Sequence, residues 1–550
     1  MRKVMIKRIL NLLDPKERRD SIKVTCSIFA IAMLDFVGLA ALLPVLYYLL
    51  EGDGNKIAAL YFALLATGVI VFKSLISTLL SRYQSRYLLS LYKRLSFTLY
   101  SNYYNNGLLF IREKGYSTLG HSVNFTCYSF SERILAPLMR MAGELLLILL
   151  VTAALLVYDW RTVAVLYLCF VPFMVLYITL VRKKVKAYGE QEFKAKRQQA
   201  KIVSDTFRGY AELEINDAFP RLQASFLSGV DEVSRNRINM QTIQMFPRFL
   251  SELAIIIGMV VMVLLGGENA RLLVGIFAVS AFRLLPALRG LLSGFTQVQN
   301  ALPSLEILEE GVKKSDHNDV VKKVSDPNDV VLKVNSIEIR DVKFSYGDSV
   351  LDFGKIRIDK GEYIGFCGYS GVGKTTLFNL ILGFLKPQEG EILIDGTPLT
   401  PENRKWWLKH IGYVPQEVFI FNGTIAENVA LGYKDIDEEK VNKVLEMVSL
   451  GSWVDTLEKG IDSSLGEGGG KLSGGQKQRI GIARALYKGA SVLLLDEATS
   501  SLDNNTEREI NEMLQELKKE IPDLTILSIA HRESTLAYCN RTINLEENGN

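Results

Sequence analysis

Cysteine is scarce in this 550-residue sequence, and its five residues show no paired spacing: Cys26, Cys127, Cys169, Cys367 and Cys539. The spacing predicts free thiols and argues against a disulfide framework or a zinc site. The net charge is only +4, which argues against a nucleic-acid-binding protein. The N-terminal segment lacks an apolar core followed by a small-residue cleavage site, so we expect no signal peptide.

Apolar residues, in contrast, are abundant. They make up 48% of the chain, and with so little net charge this excess indicates membrane spans. The chain is also too long for one core, so we expect two domains. The expected division is a transmembrane domain over residues 1–312, a linker over 313–335 and a second domain over 336–550.

Six stretches are apolar over about the 20 residues that a membrane-spanning helix needs. They cover residues 22–50, 57–80, 135–158, 162–181, 250–266 and 272–292. Two long, helix-like connections, 82–133 and 182–248, are rich in Lys and Arg. Because such residues collect on the cytoplasmic side, we expect these connections and both termini in the cytoplasm. The basic N-terminal segment suits a helix that lies on the membrane surface.

The composition changes after residue 310 to a charged segment with turn-forming residues. From residue 337 onward, short β-rich runs alternate with helical patterns. This alternation is typical of an α/β domain with a largely parallel sheet.

A phosphate-binding pattern lies in this second domain. Residues 368–375 read GYSGVGKT, between a strand-like YIGFC and a helix-like TLFNLILGF. The glycines let backbone amides face phosphates, Lys374 supplies positive charge, and the Thr375 hydroxyl can ligate magnesium. The pattern predicts binding of ATP with Mg²⁺.

Two acids, Asp496 and Glu497, follow the apolar run SVLLL. The carboxyl end of such a strand faces the phosphate site, so we expect Asp496 to hold magnesium, directly or through water. Glu497 is then placed to act as the general base toward the attacking water. The alternative, two solvated acids after a strand, is disfavoured by the phosphate loop.

Residues 472–479, LSGGQKQR, resemble the signature of the ATP-binding cassette (ABC) family. The other positions of that family follow in order, including the aromatic Tyr346, the Q-loop Gln416, the D-loop Ser501 to Asp503, and the switch histidine His531 in IAHRES. The sequence departs from the family at Gly468, where many exporters have Arg, and at Glu533, where Leu is usual. These departures concern coupling to the membrane domain.

The resemblance implies a set of site residues. Glu497 and His531 would be catalytic. ATP would be bound by Tyr346, Gly368, Ser370, Gly371, Gly373, Lys374, Thr375, Thr376, Gln416 and Asp496. The magnesium positions would be Thr375, Gln416 and Asp496, and Asp503 would lie in the D-loop. The ATP of a partner cassette would be contacted by Ser473, Gly474, Gly475 and Gln476.

The resemblance also implies a fold class and a function. The fold is an α-helical six-span transmembrane domain with long cytoplasmic extensions, followed by an α/β phosphate-loop ATPase domain. One cassette and six spans imply a dimer with an identical chain or a sister half-transporter in the inner membrane. The expected activity is ATP-driven transport of an amphipathic anionic substrate from the inner to the outer leaflet. A non-transporting ABC ATPase is disfavoured by the spans, and an inactive cassette by the intact motifs.

The substrate is suggested by segments 245–258 and 282–290, which look similar to bacterial flippases for lipid-linked oligosaccharides. A multidrug or lipid A exporter of the same architecture is the alternative. Counted at 1.5 Å per residue, Glu144, Glu252 and Arg283 reach similar depths, so Arg283 either pairs with one of these acids or contacts substrate. Arg248 and Arg289 lie nearer the inner headgroups, where they bind the substrate's phosphates or anchor to membrane lipid.

Overall fold

The structure is a computed structural model that describes residues 2–42, 44, 45, 48, 56–158, 160–265, 270–313, 334–346, 349–500 and 502–546. The chain divides into two compact units, residues 1–317 and 318–550. Most of the predicted linker, and Ser501 of the predicted D-loop, lie outside the described residues.

The described part of the first unit is helical. Its helices are α1 (Arg2–Asn11), α2 (Pro15–Ala40), α3 (Lys56–Asn105), α4 (Gly107–Lys114), α5 (Tyr116–His121), α6 (Cys127–Phe130), α7 (Ala136–Tyr158), α8 (Trp160–Arg208), α9 (Tyr210–Ile215), α10 (Phe219–Leu265) and α11 (Ala270–Lys313). Two π-helical turns, Ser122–Thr126 and Ser131–Leu135, continue the chain from α5 through α6 into α7.

Local sequence explains several of these boundaries. Asp14 and Glu17 form a capping box at the start of α2, and Pro15 occupies its first turn, where a missing amide hydrogen costs little. Gly115, with φ of +76°, separates α4 from α5 in a conformation that favours glycine.

Five helices, within the described residues, are long and apolar enough to cross a membrane: Pro15–Ala40, Leu60–Asn105, Tyr116–Val157, Trp160–Arg208 and Phe219–Leu264. The sixth predicted span, 272–292, falls in α11, which is not among these five, so six spans stay a prediction. Large apolar side chains such as Leu64 and Leu168 are exposed along the spans, as expected of a surface that faces lipid. Helix α8, with 49 residues, is about 74 Å long, far more than the hydrocarbon thickness of about 30 Å.

Two apolar clusters hold the first unit together. One joins α7, α8, α10 and α11 through residues such as Leu147, Leu166 and Phe277. The other joins α1, α3, α6 and α11 through residues such as Leu95 and Phe130. Helix α1 is also tied to α11 by an ion pair of 2.6 Å between Arg8 Nη2 and Glu309 Oε2.

The second unit contains two sheets and several helices. The strands are β1 (Ser336–Tyr346), β2 (Ser349–Asp352), β3 (Lys355–Asp359), β4 (Tyr363–Cys367), β5 (Glu389–Ile394), β6 (Thr397–Pro398), β7 (Ile411–Val414), β8 (Val492–Asp496), β9 (Thr525–Ile529) and β10 (Arg541–Asn544). The helices are α12 (Lys374–Ile381), α13 (Arg404–His410), α14 (Ile425–Val429), α15 (Glu438–Met447), α16 (Gly451–Asp455), α17 (Gly474–Lys488), α18 (Asn504–Glu520) and α19 (Glu533–Leu536).

One sheet is antiparallel, in the order β2-β1-β5-β6, with β3 also paired to β1. The other is parallel, in the order β10-β4-β9-β8-β7. Strands β8 and β9 are buried along their whole length, which explains their continuous apolar sequences. The predicted α/β character of this unit is therefore observed, but only one of its two five-stranded sheets is parallel.

Candidate functional site

Three neighbouring strands of the parallel sheet carry the predicted site residues at one edge. Strand β4 leads into the phosphate loop, β8 ends at Asp496, and β9, which lies between them, leads to His531. Because parallel strands end at the same edge of a sheet, the sheet order brings together residues that are far apart in sequence.

The phosphate loop follows β4 and ends at α12. Gly373 has φ of +103°, and a Cβ there would lie 2.8 Å from Leu351 Cδ1, so the position requires glycine. The Lys374 ammonium donates to the carbonyls of Gly368 and Tyr369, at 2.9 and 3.0 Å. Burial lowers the pKa of Lys374, and the nearby charge of Glu497 partly offsets this lowering. Ser370 and Gly371 are exposed at the loop tip, and Thr376 is half-buried.

Thr375 and Asp496 meet between the loop and β8. The Thr375 hydroxyl donates to Asp496 Oδ1 at 3.1 Å, and the Tyr413 hydroxyl donates to Asp496 Oδ2 at 3.0 Å. The hydroxyl and the buried carboxylate are hard oxygen ligands. They fit a magnesium ion that is also bound by the phosphates of ATP. Asp496 is 5% exposed, so its orientation is fixed by these bonds.

Glu497 and His531 form a second pair at the same edge. The Glu497 Oε1 and His531 Nε2 atoms lie 2.9 Å apart. Glu497 has φ of +50°, a left-handed conformation that costs a non-glycine residue about 1 kcal/mol. The Ser500 hydroxyl donates to the Glu497 carbonyl at 2.9 Å and accepts from Gln416 Nε2 at 3.3 Å. The Ser500 hydroxyl therefore links the Gln416 side chain to the backbone of Glu497.

A buried acid anchors the segment that follows His531. Glu507, which is 3% exposed, accepts hydrogen bonds from Thr535 at 2.6 Å and Ser534 at 2.9 Å, and also from Arg532. Burial alone would raise the pKa of Glu507, but these hydrogen bonds and the Arg532 charge lower it from its ordinary value.

The signature residues form the start of α17. Ser473 caps the helix, since its hydroxyl accepts from the Gln476 amide at 3.2 Å and its own amide donates to Gln476 Oε1 at 2.9 Å. Gly474 lies beside Leu502, and a Cβ on Gly475 would lie 2.5 Å from Thr506 Cγ2. Both helix starts, α17 and α18, are therefore packed together, which requires small residues in the signature.

Asp503 caps α18 in the same region. Its carboxylate accepts from the amides of Asn505 and Thr506, both at 3.1 Å, and from the Thr506 hydroxyl at 2.7 Å. The hydrogen bonds from Thr506 lower the pKa of Asp503. Tyr346 lies at the end of β1, where it is 46% exposed and packs edge-on against Phe344. An exposed ring of this kind is available for stacking.

Charged residues of the first unit pair differently from the prediction. Arg283 pairs with Asp35 at 2.5 Å, not with Glu144 or Glu252, and Asp35 also pairs with Lys73 at 2.6 Å. This cluster joins α2, α3 and α11. The depth of a residue along a helix can be counted from the sequence, but the direction of its side chain depends on packing. The Arg283 side chain points toward Asp35.

Glu252 is shared instead by the other two arginines. Its Oε1 lies 3.0 Å from Arg248 Nε on the same helix and 3.7 Å from Arg289 Nη2 on α11. The structure thus brings Arg248 and Arg289 to one place, although they lie on different helices.

Comparison with known proteins agrees with this arrangement. A protein-family model described as "ABC transporter" matches residues 353–500. The ATP-dependent lipid A-core flippase of Francisella tularensis subsp. holarctica (strain OSU18) is 31% identical over 392 residues, covering 68% of this chain and 62% of that protein. The chain belongs to the ABC transporter family.

Two further relatives extend the match along this ABC transporter. The ATP-dependent lipid A-core flippase of Burkholderia orbicola (strain AU 1054) is 26% identical over 524 residues, which cover 92% of this chain and 86% of that protein. A solved bacterial Atm1-family ABC exporter with ATP bound has a TM-score of 0.77 at 22% identity, and the match covers 99% of this chain and 94% of that one. This structural match shows an exporter-type fold. The chain spans about 62% of the length of the Francisella relatives that it matches.

Several residues of the ABC transporter site were missed from sequence. Tyr413 is the next-to-last residue of β7, whose parallel register with β8 places its hydroxyl beside Asp496. Gln478 is buried in α17 and donates to the Gln416 carbonyl at 2.9 Å, which links the signature helix to the Q-loop. Glu546 accepts from the Tyr369 amide of the phosphate loop at 2.6 Å. No sequence signal predicts these three contacts, which depend on strand order and on how the elements pack.

The departure at Gly468 has a structural reason. Its φ is +59°, within a short 3₁₀ turn, and its carbonyl accepts from Lys477 at 3.1 Å. Glycine adopts this conformation without the strain that an arginine would incur. The glycine therefore fits the local backbone.

Proposed function

We propose that this chain hydrolyses ATP as one half of a dimeric exporter that moves an amphipathic, phosphorylated glycolipid from the inner to the outer leaflet of the inner membrane. The main support is the edge of the parallel sheet, where the Thr375–Asp496 and Glu497–His531 pairs lie side by side. The five apolar helices of the same chain support transport across a membrane.

The site residues suggest a division of roles in hydrolysis. Thr375 and Asp496 would hold magnesium, with Gln416 close by, and the bound ion would supply positive charge to the phosphate oxygens. Lys374 neutralises charge on the transferred phosphoryl group, and the loop amides around Gly371 orient it. Glu497 accepts the proton of the attacking water. His531, at 2.9 Å, fixes the orientation of that carboxylate.

A dimer is part of this proposal. Ser473, Gly474, Gly475 and Gln476 form the start of α17, where Ser473 and Gly474 are exposed, and their amides and the Ser473 hydroxyl would contact the ATP of a partner cassette. The partner is a second copy of this chain or a sister half-transporter. We also propose that both termini and the ATP-binding unit lie in the cytoplasm, since the long basic helical extensions lie on that side.

Coupling would pass through the helix breaks at the ends of the long extensions. The short helices α4 and α9 lie at these breaks, after α3 and α8. A rigid movement of one helix pair relative to another would then change the access of the membrane cavity.

The proposed substrate carries phosphate and sugar. Arg248 and Arg289 both contact Glu252, which brings two guanidinium groups to one place, and the Arg248 side chain is 73% exposed. Guanidinium groups suit phosphate oxygens. A lipid-linked oligosaccharide is the substrate suggested by the sequence, and the names of the two relatives, lipid A-core flippases, favour lipid A as the second candidate.

The test is ATPase stimulation in nanodiscs by each lipid. We expect at least one to raise the rate, and Arg248→Ala/Arg289→Ala to abolish the increase while Arg221→Ala, at an exposed position elsewhere on α10, retains it. Equal stimulation of the double variant would contradict the role of these arginines. Stimulation by amphipathic drugs alone would favour a multidrug exporter.

A further inference from the structure

A cavity of about 640 Å³ lies in the first unit, outside the predicted membrane spans. It is lined by residues of the segment 121–133, of α8, of α10 and of the end of α11. Glu192, on its wall, is 11 residues beyond the predicted end of the span on α8, or about 16 Å along the helix. Its volume is in the range of small-molecule sites.

The charges around this cavity are unbalanced. Of the described residues, three cations, Arg133, Lys196 and Arg237, line it together with one carboxylate, Glu192. Glu192 is buried and lies 2.5 Å from Lys196 Nζ and 3.4 Å from Arg237 Nε. Arg133 is exposed and, among the described residues, forms no ion pair within 4.0 Å, although its charge also acts on Glu192. One carboxylate therefore offsets only part of the charge of these three cations, and the excess charge at the cavity wall is positive.

The remaining lining suits a sugar. The His121 ring packs against Phe125 and Phe193, with centroids 5.0 and 5.5 Å apart, and Phe125 is 60% exposed. Gln199 also lines the cavity, and its Nε2 is buried without a hydrogen-bond partner among the described residues. A buried amide without a partner costs free energy unless a ligand or water satisfies it.

We propose that this cavity binds a phosphorylated sugar. The cations on its wall contact the phosphate, the aromatic rings pack against the apolar face of the sugar, and the Gln199 amide donates to a hydroxyl. The occupant comes from one of two sources, the headgroup of a glycolipid or a soluble sugar phosphate.

The position of the cavity along α10 suggests a role for a glycolipid headgroup that binds there. Arg237 precedes Arg248 by 11 residues on α10, about 16 Å. A headgroup bound here would lie below the proposed membrane arginines, before it crosses. This interpretation rests on the proposed export of a glycolipid, whereas binding of a sugar phosphate does not.

The experiment measures equilibrium binding to the full chain in nanodiscs, with saturating ADP to occupy the phosphate loops. The probes are N-acetylglucosamine 1-phosphate, inorganic phosphate, and a polyprenyl pyrophosphate that carries N-acetylglucosamine. No ATP hydrolysis is needed, so failure of the transport proposal would leave this measurement unaffected.

We expect Arg133→Gln/Arg237→Gln to weaken sugar phosphate binding about 10-fold or more, because two charge-assisted contacts are lost. Arg235→Gln, two residues from Arg237 on α10 and outside the cavity lining, should change it less than about 2-fold. Gln199→Leu should weaken the sugar phosphate but not inorganic phosphate. Gel filtration checks that each variant is folded.

Binding of the soluble probe alone would identify a soluble sugar phosphate as the ligand. Binding of the lipid probe that Arg133→Gln/Arg237→Gln weakens would identify a headgroup. Equal binding to the double variant and the unchanged chain would overturn the proposal. Equal affinities for inorganic phosphate and the sugar phosphate would also overturn it. The absence of binding by every probe, as expected if a second copy covers the cavity, would overturn it as well.

Discussion

The two units differ in how their polar residues are brought together. In the second unit, which carries the ATP-binding motifs, the ends of the parallel strands β4, β8 and β9 lie at one edge of the sheet. The order of the strands therefore brings Thr375, Asp496 and His531 to the same region. In the membrane unit, charged side chains meet through the rotation and packing of long helices. Arg283 thus finds Asp35, a partner that a count of residues along each helix does not reveal.

The largest effect that would test this comparison is at Glu497. We expect Glu497→Gln to lower ATP hydrolysis by about 100-fold or more, because the general base is lost while the shape is kept. ATP binding should persist, since the phosphate loop is unchanged. Phosphate release at saturating ATP measures the rate, with Glu512→Gln, an exposed acid on α18, as the matched control. A rate above a tenth of the original would contradict the assignment.

The next effect concerns the membrane cluster. Asp35→Asn should destabilise the first unit by about 2 to 3 kcal/mol, because Lys73 and Arg283 lose their shared partner in a partly buried place. Thermal unfolding in detergent measures this, with Asp20→Asn, which breaks an exposed pair with Lys23, as the control. The double variant Asp35→Asn/Lys73→Met should lose less stability than Asp35→Asn alone. Equal midpoints for Asp35→Asn and the unchanged chain would show that the cluster does not hold the helices.

A smaller effect is expected at Glu507. Glu507→Gln should cost the second unit about 2 kcal/mol at pH 7, because hydrogen bonds to a charged, buried acceptor are weakened. Since the folded pKa of Glu507 is lowered, its stabilisation is present above the unfolded pKa of about 4.3 and is lost as pH falls through the folded pKa.

Denaturant unfolding of the full chain at pH 7 and near pH 4, followed by tryptophan fluorescence, checks this prediction. Three of the four tryptophans, Trp406, Trp407 and Trp453, lie in the second unit. The difference between the variant and the unchanged chain should shrink at the lower pH. A difference that stays constant would mean that the charge of Glu507 contributes nothing.

The smallest effect is at Tyr413. Tyr413→Phe removes one hydrogen bond to Asp496 and should raise the Mg²⁺ concentration for half-maximal hydrolysis about 10-fold, with little change in the maximal rate. A magnesium titration at fixed ATP measures it, and Tyr538→Phe provides a control hydroxyl outside the site. An unchanged titration would show that Tyr413 does not orient Asp496.

Sequence could predict much of the ATP-binding unit. The phosphate loop and the acids after SVLLL lie at strand ends, and a pattern of a few residues determines both local structure and chemistry there. The contacts of Tyr413 and Gln478 could not be predicted, since they depend on strand order and on how α17 packs. In the membrane unit, hydropathy predicts the spans but gives no helix rotation, so neither Asp35 nor the cavity near Glu192 was expected.

The most direct test follows a fluorescent phosphorylated glycolipid in proteoliposomes that contain the full chain, with and without ATP. We predict ATP-dependent movement to the opposite leaflet by the unchanged chain and none by Glu497→Gln. Hydrolysis without movement of either a lipid-linked oligosaccharide or lipid A would contradict the proposed function, and equal movement by Glu497→Gln would contradict the coupling of transport to this site.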